Sequence, residues 1–361
     1  MSRQGRAAGR GGVWTAAVAT VVSVASASVG LLAAPAVAYP PAQVYSAGNN
    51  VYGQLGDGRA PTPSGVFVSA SYFPISVKAV AGGGVSAYAL RADGTVWAWG
   101  RNDYGQLGNG TTVDSHTPVQ VPGLTEVKAI SAGCWTGYAL RDDGSVWAWG
   151  HNAYGQLGNG GTANALAPAQ VPGLPKVTLI AGGRWAGYAK GADGTLWSWG
   201  ANWHSQLGDG QTYTSRPTPG RVTENGIDQS KVTALASSGD SAYALLSDGT
   251  VLAWGRNDLG QLGLGVPSER FLPNLVQNLP ASVVAIAAAG DAAYAVLADR
   301  TVWAWGRGDL GQLGDGALTT SYDPVPVPGL PGGAAAVGGG GFSGYLIVDQ
   351  IPGAPPVNSD G

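Results

Sequence analysis

The sequence predicts an all-β fold, a closed propeller of about six blades, and three observations lead there. First, the run Val96-Trp97-Ala98-Trp99-Gly100-Arg101-Asn102-Asp103-Tyr104-Gly105-Gln106-Leu107-Gly108 returns almost unchanged from Val146 to Gly158. Looser copies place the leucine of a Gln-Leu-Gly triplet at Leu55, Leu107, Leu157, Leu207, Leu262 and Leu313, a period of about 50 residues. Such self-similarity marks a solenoid, a propeller or an array. Second, each unit reads as strands with no helical period. Third, the two ends of the chain are complementary half-units.

In chain order, residues 1–38 read as a secretory leader. Arg3, Arg6 and Arg10 precede an apolar run from Val13 to Leu32, and Ala36-Val37-Ala38 supplies a small-x-small cleavage site. The mature chain is then expected to begin at Tyr39, with 39–43 as a short linker. The competing reading is an uncleaved anchor, because the run approaches membrane-spanning length; its Ala, Ser and Thr content disfavours that. The propeller is assigned to 44–349, and 350–361 to a disordered, proline-rich tail.

Within a unit, Val77-Lys78-Ala79-Val80-Ala81 is a short apolar strand ending in glycines. Ala87-Tyr88-Ala89-Leu90 is the second strand, and Val96-Trp97-Ala98-Trp99-Gly100 the third. The Asp93-Gly94 pair between them is a hairpin signal, since both residue types tolerate the backbone a tight turn requires. Both faces of the third strand are apolar, as a strand packed between neighbouring sheets should be. The stretch around Pro118-Val119-Gln120-Val121 is a fourth strand, where proline suits a sheet edge. Four strands in about 50 residues describe a propeller blade.

The segment from Val44 through Gly56 is only the second half of a unit, and Ala336 through Asp349 is only the first half. Five intact units plus this composite make six blades, closed by strands from both termini. An open solenoid would need polar capping repeats, which are not visible.

The phrase YALRADGTVWAWGRNDYGQLGNG resembles the repeat of the regulator of chromosome condensation family, over roughly Val44 to Asp349. The resemblance implies a propeller of four-stranded blades, usually seven; six motifs occur here. The family's usual histidine before the second strand is replaced by Ser86, Thr136, Ala186, Ser241, Ala292 and Ser343. The nucleotide-exchange role of eukaryotic members is therefore not carried over. The bacterial side of the same superfamily, including extracellular propellers that inhibit β-lactamases, implies a secreted protein-binding module.

Charge and chemistry narrow the classes. The chain carries a net −3, and the three leader arginines are matched by no leader acid, so the mature chain carries −6. That balance argues against nucleic acid as a partner. The lone Cys134 cannot form an internal disulfide and reads as a structural thiol. Histidines occur only at 116, 151 and 204, with no metal-ligand spacing, so neither a metal, a cofactor nor a catalytic residue is expected.

Residue types fixed in every unit serve the blade; function is expected where units differ. The first turn varies through Val85, Trp135, Trp185, Asp240, Asp291 and Phe342. The third turn supplies Arg101, His151, Arg256 and Arg307, followed by Tyr52, Tyr104, Tyr154, His204, Leu259 and Leu310, with Trp203 besides. Both turns should emerge on one side of a meandering blade. Aromatic residues and arginine are the types enriched in binding hot spots. The candidate binding set is thus Tyr104, Trp135, Tyr154, Trp185, Trp203, Arg101, His151, His204, Arg256, Arg307 and Phe342. The simpler alternative is that these side chains only cover the channel mouth. The expectation is a secreted or cell-surface, monomeric, non-enzymatic module with no stable membrane span after leader removal. A protein partner is expected first and a glycan second, since the tandem tryptophans also resemble tectonin-type lectin propellers.

Overall fold

The computed structural model describes residues 44–48, 50–59, 61–62, 64–70, 77–268, 270–330, 334–339 and 344–348. The leader 1–38, the linker 39–43, the tail 350–361 and Phe342 lie outside them. Among the described residues the chain forms 24 strands and one short 3-10 turn, Gln229–Lys231. No helix there is long and apolar enough to cross a membrane.

Five complete antiparallel sheets of four strands follow one another in sequence order. The first contains Val77–Gly82, Ser86–Arg91, Val96–Gly100 and Ser115–Gln120. The remaining four, beginning at Val127, Val177, Val232 and Val283, repeat its plan. The stretch from Gly210 to Lys231, the longest spacer, holds no extra blade: it contributes the outer strand Arg216–Arg221 of the third sheet and the 3-10 turn.

Two further sheets have only two strands. Tyr45–Gly48 pairs with Ser64–Ser69, and Ala334–Gly339 pairs with Gly344–Val348. Their registers identify them as opposite halves of a blade. Ser46 faces Val68 as Ala98 faces Val119, and Tyr345 faces Gly338 as Tyr88 faces Ala81.

Packing alternates with hydrogen bonding between blades. Tyr88, Leu90, Val96 and Leu107 of the first blade form one buried cluster with Val127, Ile130, Ala139 and Trp149 of the second. Equivalent clusters join the second to the third, the third to the fourth, and the fourth to the fifth. Ala334 and Val337 pack against the fifth blade, and Val44 against the first.

The two tryptophans of the third strand have different tasks. Trp99, Trp149, Trp199, Trp254 and Trp305 are almost wholly buried. Each donates its indole N–H at 2.9 Å to the main-chain carbonyl of a glutamine in the preceding blade: Gln54, Gln106, Gln156, Gln206 and Gln261. The same carbonyl also accepts the phenol of its own blade's second strand, Tyr88 on Gln106 at 2.8 Å and Tyr138 on Gln156 at 2.7 Å. Gly108 follows in the turn at φ +64°, and a Cβ there would meet the Trp149 indole nitrogen at 2.8 Å. By contrast Trp97, Trp147 and Trp197 are half-buried and donate to the turn hydroxyls of Thr95, Ser145 and Thr195.

Removing an interior indole leaves a cavity and strips the glutamine carbonyl of one of its two donors. Trp199→Ala should therefore cost about 3–5 kcal/mol in urea unfolding. Trp197→Ala, at a half-exposed position, should cost less than about half as much. Equal losses for the two would show that burial and stapling do not distinguish them.

Candidate functional site

The site rests on the long turn between the third and fourth strands, whose frame is built by buried polar side chains. Asn102 is fully buried. Its carbonyl oxygen accepts from Leu107 N at 2.9 Å, and its amide donates to the carbonyls of Thr111 and Val113, each at 3.0 Å. Asn152 repeats this with Leu157, Gly161 and Ala163. A buried amide satisfied on both sides fixes a loop as strand pairing fixes a sheet. The tip of the loop then bonds to the next blade, with Gly110 N donating to Leu166 O at 2.8 Å.

The glutamine that staples the blades through its backbone also presents the variable residue two positions before it. Gln106 Oε1 accepts from Tyr104 N, Gln156 Oε1 from Tyr154 N, and Gln206 Oε1 from His204 N, at 2.9 to 3.0 Å. First and third turns meet as expected on one side of each blade. Arg101 N donates to Val85 O, His151 N to Trp135 O, and Arg256 N to Asp240 O, each at 3.0 Å.

Six rings converge there into one continuous patch. Tyr104 stands edge-on to His151 with ring centres 4.6 Å apart, and 6.3 Å from Trp135. Trp135 lies 4.6 Å from Trp185. Trp185 meets Tyr154 at 5.2 Å, and Tyr154 meets Trp203 edge-on at 4.4 Å. His151 touches both tryptophans, at 6.0 and 5.5 Å. All six are half-buried, so the patch is anchored yet accessible. The Trp135 indole N–H is buried without a hydrogen-bond partner, a donor the fold leaves unmatched.

The arginines stand apart from this patch. Arg101 stacks over Tyr52 at 4.7 Å and pairs with Asp103 at 2.6 Å. Arg256 pairs with Asp258 at 2.6 Å and reaches Asp291 at 3.6 Å, and Arg307 holds Asp309 at 2.7 and 3.0 Å. Each arginine thus already has an acidic partner. His204 shares the Asp240 neighbourhood. Burial raises the Asp240 carboxyl above the ordinary range, against the pull of Arg184, His204 and Arg256. Gln206 Nε2 donates to Asp240 at 3.2 Å. Asp240, Asp291 and Arg184 were absent from the candidate set; the signal for the two acids was their place in the variable first-turn column beside Trp135 and Trp185.

Cys134, next to Trp135, is half-buried, and burial pushes its thiol up to about 11. It is protonated at neutral pH and is not an activated nucleophile. No group of three or more His, Cys, Asp or Glu poised for a metal occurs among the described residues.

The repeating four-stranded sheets, staple and loop frame define the class, a β-propeller of tandem blades. The chain belongs to the family described as the RCC1-like domain, whose sequence profile matches residues 22–346. Human regulator of chromosome condensation is 39% identical over 84 residues, 23% of this chain and 20% of that protein. RCC1 domain-containing protein RUG3, mitochondrial, of Arabidopsis thaliana is 31% identical over 129 residues, covering 34% of this chain and 28% of that protein. Human probable E3 ubiquitin-protein ligase HERC4 matches at 33% over 99 residues, 27% of this chain and 9% of its own length. The matched stretches thus span well under a third of these relatives. Among solved structures, Prp20p of Saccharomyces cerevisiae aligns with a TM-score of 0.74 at 23% identity, over 86% of this chain and 79% of that one. Human WBSCR16 aligns at 0.72 and 24% identity, over 85% and 81%. Both likenesses establish the fold.

Within the patch His151 is the titrating member. Gln156 Nε2 lies 2.7 Å from His151 Nδ1, which assigns Nδ1 as acceptor and the proton to Nε2 of a neutral ring. Burial lowers its pKa below the ordinary 6.5, with Asp103 opposing. The folded protein therefore binds this proton less readily than the unfolded chain. Stability from this residue is complete above about pH 6.5 and declines as the pH falls below it. An NMR titration should place the His151 midpoint below 6.5, and His151→Gln should blunt the acid-side loss of stability. A midpoint at or above 6.5 would contradict the assigned hydrogen bond.

Proposed function

We propose that the chain is a secreted, non-enzymatic binding module that captures a protein partner on the aromatic patch of a six-bladed ring. The observation that carries this reading is the patch itself: Tyr104, Trp135, His151, Tyr154, Trp185 and Trp203 join across three consecutive blades. They come from turn columns in which the repeats differ, so the blade does not require them. Tryptophan and tyrosine on a rigid frame offer large contact area at small entropic cost, and such anchors dominate interface energies.

Closure of the ring is part of the proposal. It is supported by the matching registers of the two half-blades, which would join by pairing Gly344–Val348 with Tyr45–Gly48. Secretion is supported by the leader-like residues 1–38. Prp20p, a propeller of similar fold, has recorded binding properties to Gsp1p and histones, which supports use of this scaffold as a protein platform.

Protein collected from culture medium should begin at Tyr39, by N-terminal sequencing or intact mass. Full-length chain in the membrane fraction would instead support an anchor.

A pull-down from culture supernatant, run beside a glycan array, should return a protein and no glycan. Changing both Trp135→Ala and Trp185→Ala should weaken that binding by more than about tenfold and move the melting temperature little. A large fall in melting temperature with binding intact would assign these rings to the core. Binding to the array alone would favour a lectin.

A further inference from the structure

The glutamine of the Gln-Leu-Gly triplet uses both ends of its side chain. Its Oε1 accepts from a main-chain N–H two residues earlier, and its Nε2 needs an acceptor of its own because the residue is buried. In three of the complete blades that acceptor is a carboxylate at 3.2 Å: Asp103 for Gln106, Asp240 for Gln206 and Asp258 for Gln261. The second blade departs from this. Ala153 stands in the column of Asp103 and Asp258, and Gln156 Nε2 turns instead to His151 Nδ1 at 2.7 Å. A carboxyl group keeps acceptor capacity in either protonation state, whereas a ring nitrogen accepts only while it carries no proton. Only here does the acceptor for the glutamine amide depend on a titrating ring nitrogen.

A proton on Nδ1 sets two donors face to face at that 2.7 Å contact. The Gln156 main chain cannot retreat, since its carbonyl holds Tyr138 and Trp199. Its amide can turn over, which offers Oε1 to the imidazolium. That turn withdraws Oε1 from the Tyr154 N–H, now held at 3.0 Å, and points Nε2 at it instead. Nor can the His151 ring swing clear: Tyr104, Trp135, Trp185 and Tyr154 enclose it at ring-centre distances of 4.6, 6.0, 5.5 and 6.1 Å. Among the charged groups around it, the Asp103 carboxylate favours its protonation, and Arg101 pairs with that carboxylate at 2.6 Å. Arg184 of the third blade stands over Trp185 at 5.8 Å. Tyr104 and Tyr154 are the titratable neighbours, and Cys134, beside Trp135, keeps its proton.

We propose that His151 and Gln156 form a proton-operated latch on the aromatic patch, which in acid turns the Gln156 amide over and lets go of the Tyr154 main chain. Tyr154 is the ring through which Trp203, at 4.4 Å, joins Trp185, at 5.2 Å. Its release parts the second-blade rings from the third. A two-state amide biased by a histidine is the kind of element on which pH sensors are built. The latch stands on the hydrogen bonds alone; only its use, letting go of a bound protein in acid, rests on the function proposed above.

The test is amide hydrogen exchange by NMR on the nitrogen-15-labelled full chain, with no partner added, across the His151 transition. The protection factor of the Tyr154 N–H should fall about tenfold as His151 gains its proton, the loss of one buried hydrogen bond. The Tyr104 N–H, whose glutamine leans on Asp103, should keep its protection over the same range. Ala153→Asp, at an exposed position, supplies the second blade with the carboxylate of the first. In that variant His151 should still titrate, with its midpoint raised by the new charge, while Tyr154 stays protected throughout. Unchanged Tyr154 protection in the natural chain would overturn the latch. So would an equal loss in Ala153→Asp, which would trace the effect to the imidazolium charge and not to the amide. Because no partner enters, these outcomes are read apart from the binding reading, which stands or falls on the Trp135 and Trp185 changes.

Discussion

One main-chain carbonyl per blade holds this molecule in order. In the first four complete blades the glutamine carbonyl after the third strand accepts a tyrosine O–H from its own blade and a tryptophan N–H from the next. These donors come from residues 18 positions earlier and 43 positions later in the case of Gln106 and Gln156. A single acceptor thereby fixes the twist within a blade and the docking between blades. In a buried setting, an orphaned partner of such a pair costs more than the bond contributes when made. The apolar clusters between blades supply most of the driving force, but they are non-directional. The staple gives them an orientation.

The same glutamine connects structure to the candidate site. Its side-chain oxygen holds the backbone of Tyr104, Tyr154 or His204, so each variable residue stands on an element that cannot shift without disturbing the blade interface. That is why a repeat protein with uniform blades can carry a patch on only three of them. The fixed residues set the platform, and the variable turn columns decide what it displays. The turn side of the blades differs along the chain accordingly. Aromatic rings gather over the first to third blades, while Asp240, Asp291, Arg256 and Arg307 dominate over the fourth and fifth.

Much of this was legible in the residues. The 50-residue period, the Asp-Gly turns and the β content identified blades directly, and the variable columns pointed to Tyr104, Trp135, His151, Tyr154, Trp185 and Trp203 as neighbours. Period-two alternation showed that Trp97 and Trp99 share a strand face, but it could not separate their burial, because that depends on the adjacent sheet. Nor could it show that Gln106 acts through its carbonyl as well as its side chain; backbone acceptors leave no mark on residue type. The asparagine column at Asn50, Asn102, Asn152, Asn202 and Asn257 was visible as a repeat, yet its role as a buried loop pillar needed the fold. The arginines were grouped with the rings by loop position, whereas local acids two residues away draw Arg101, Arg256 and Arg307 into ion pairs.

The shared carbonyl can be tested by a double-mutant cycle on Tyr138→Phe and Trp199→Phe, the two donors to Gln156. Each single change leaves one donor in place, while the pair strips the buried carbonyl of both. Equilibrium unfolding should therefore show the double variant losing more than the sum of the singles, by about 1 kcal/mol. Strict additivity would mean that the two donors act independently, and the carbonyl would not be the element that joins the blades.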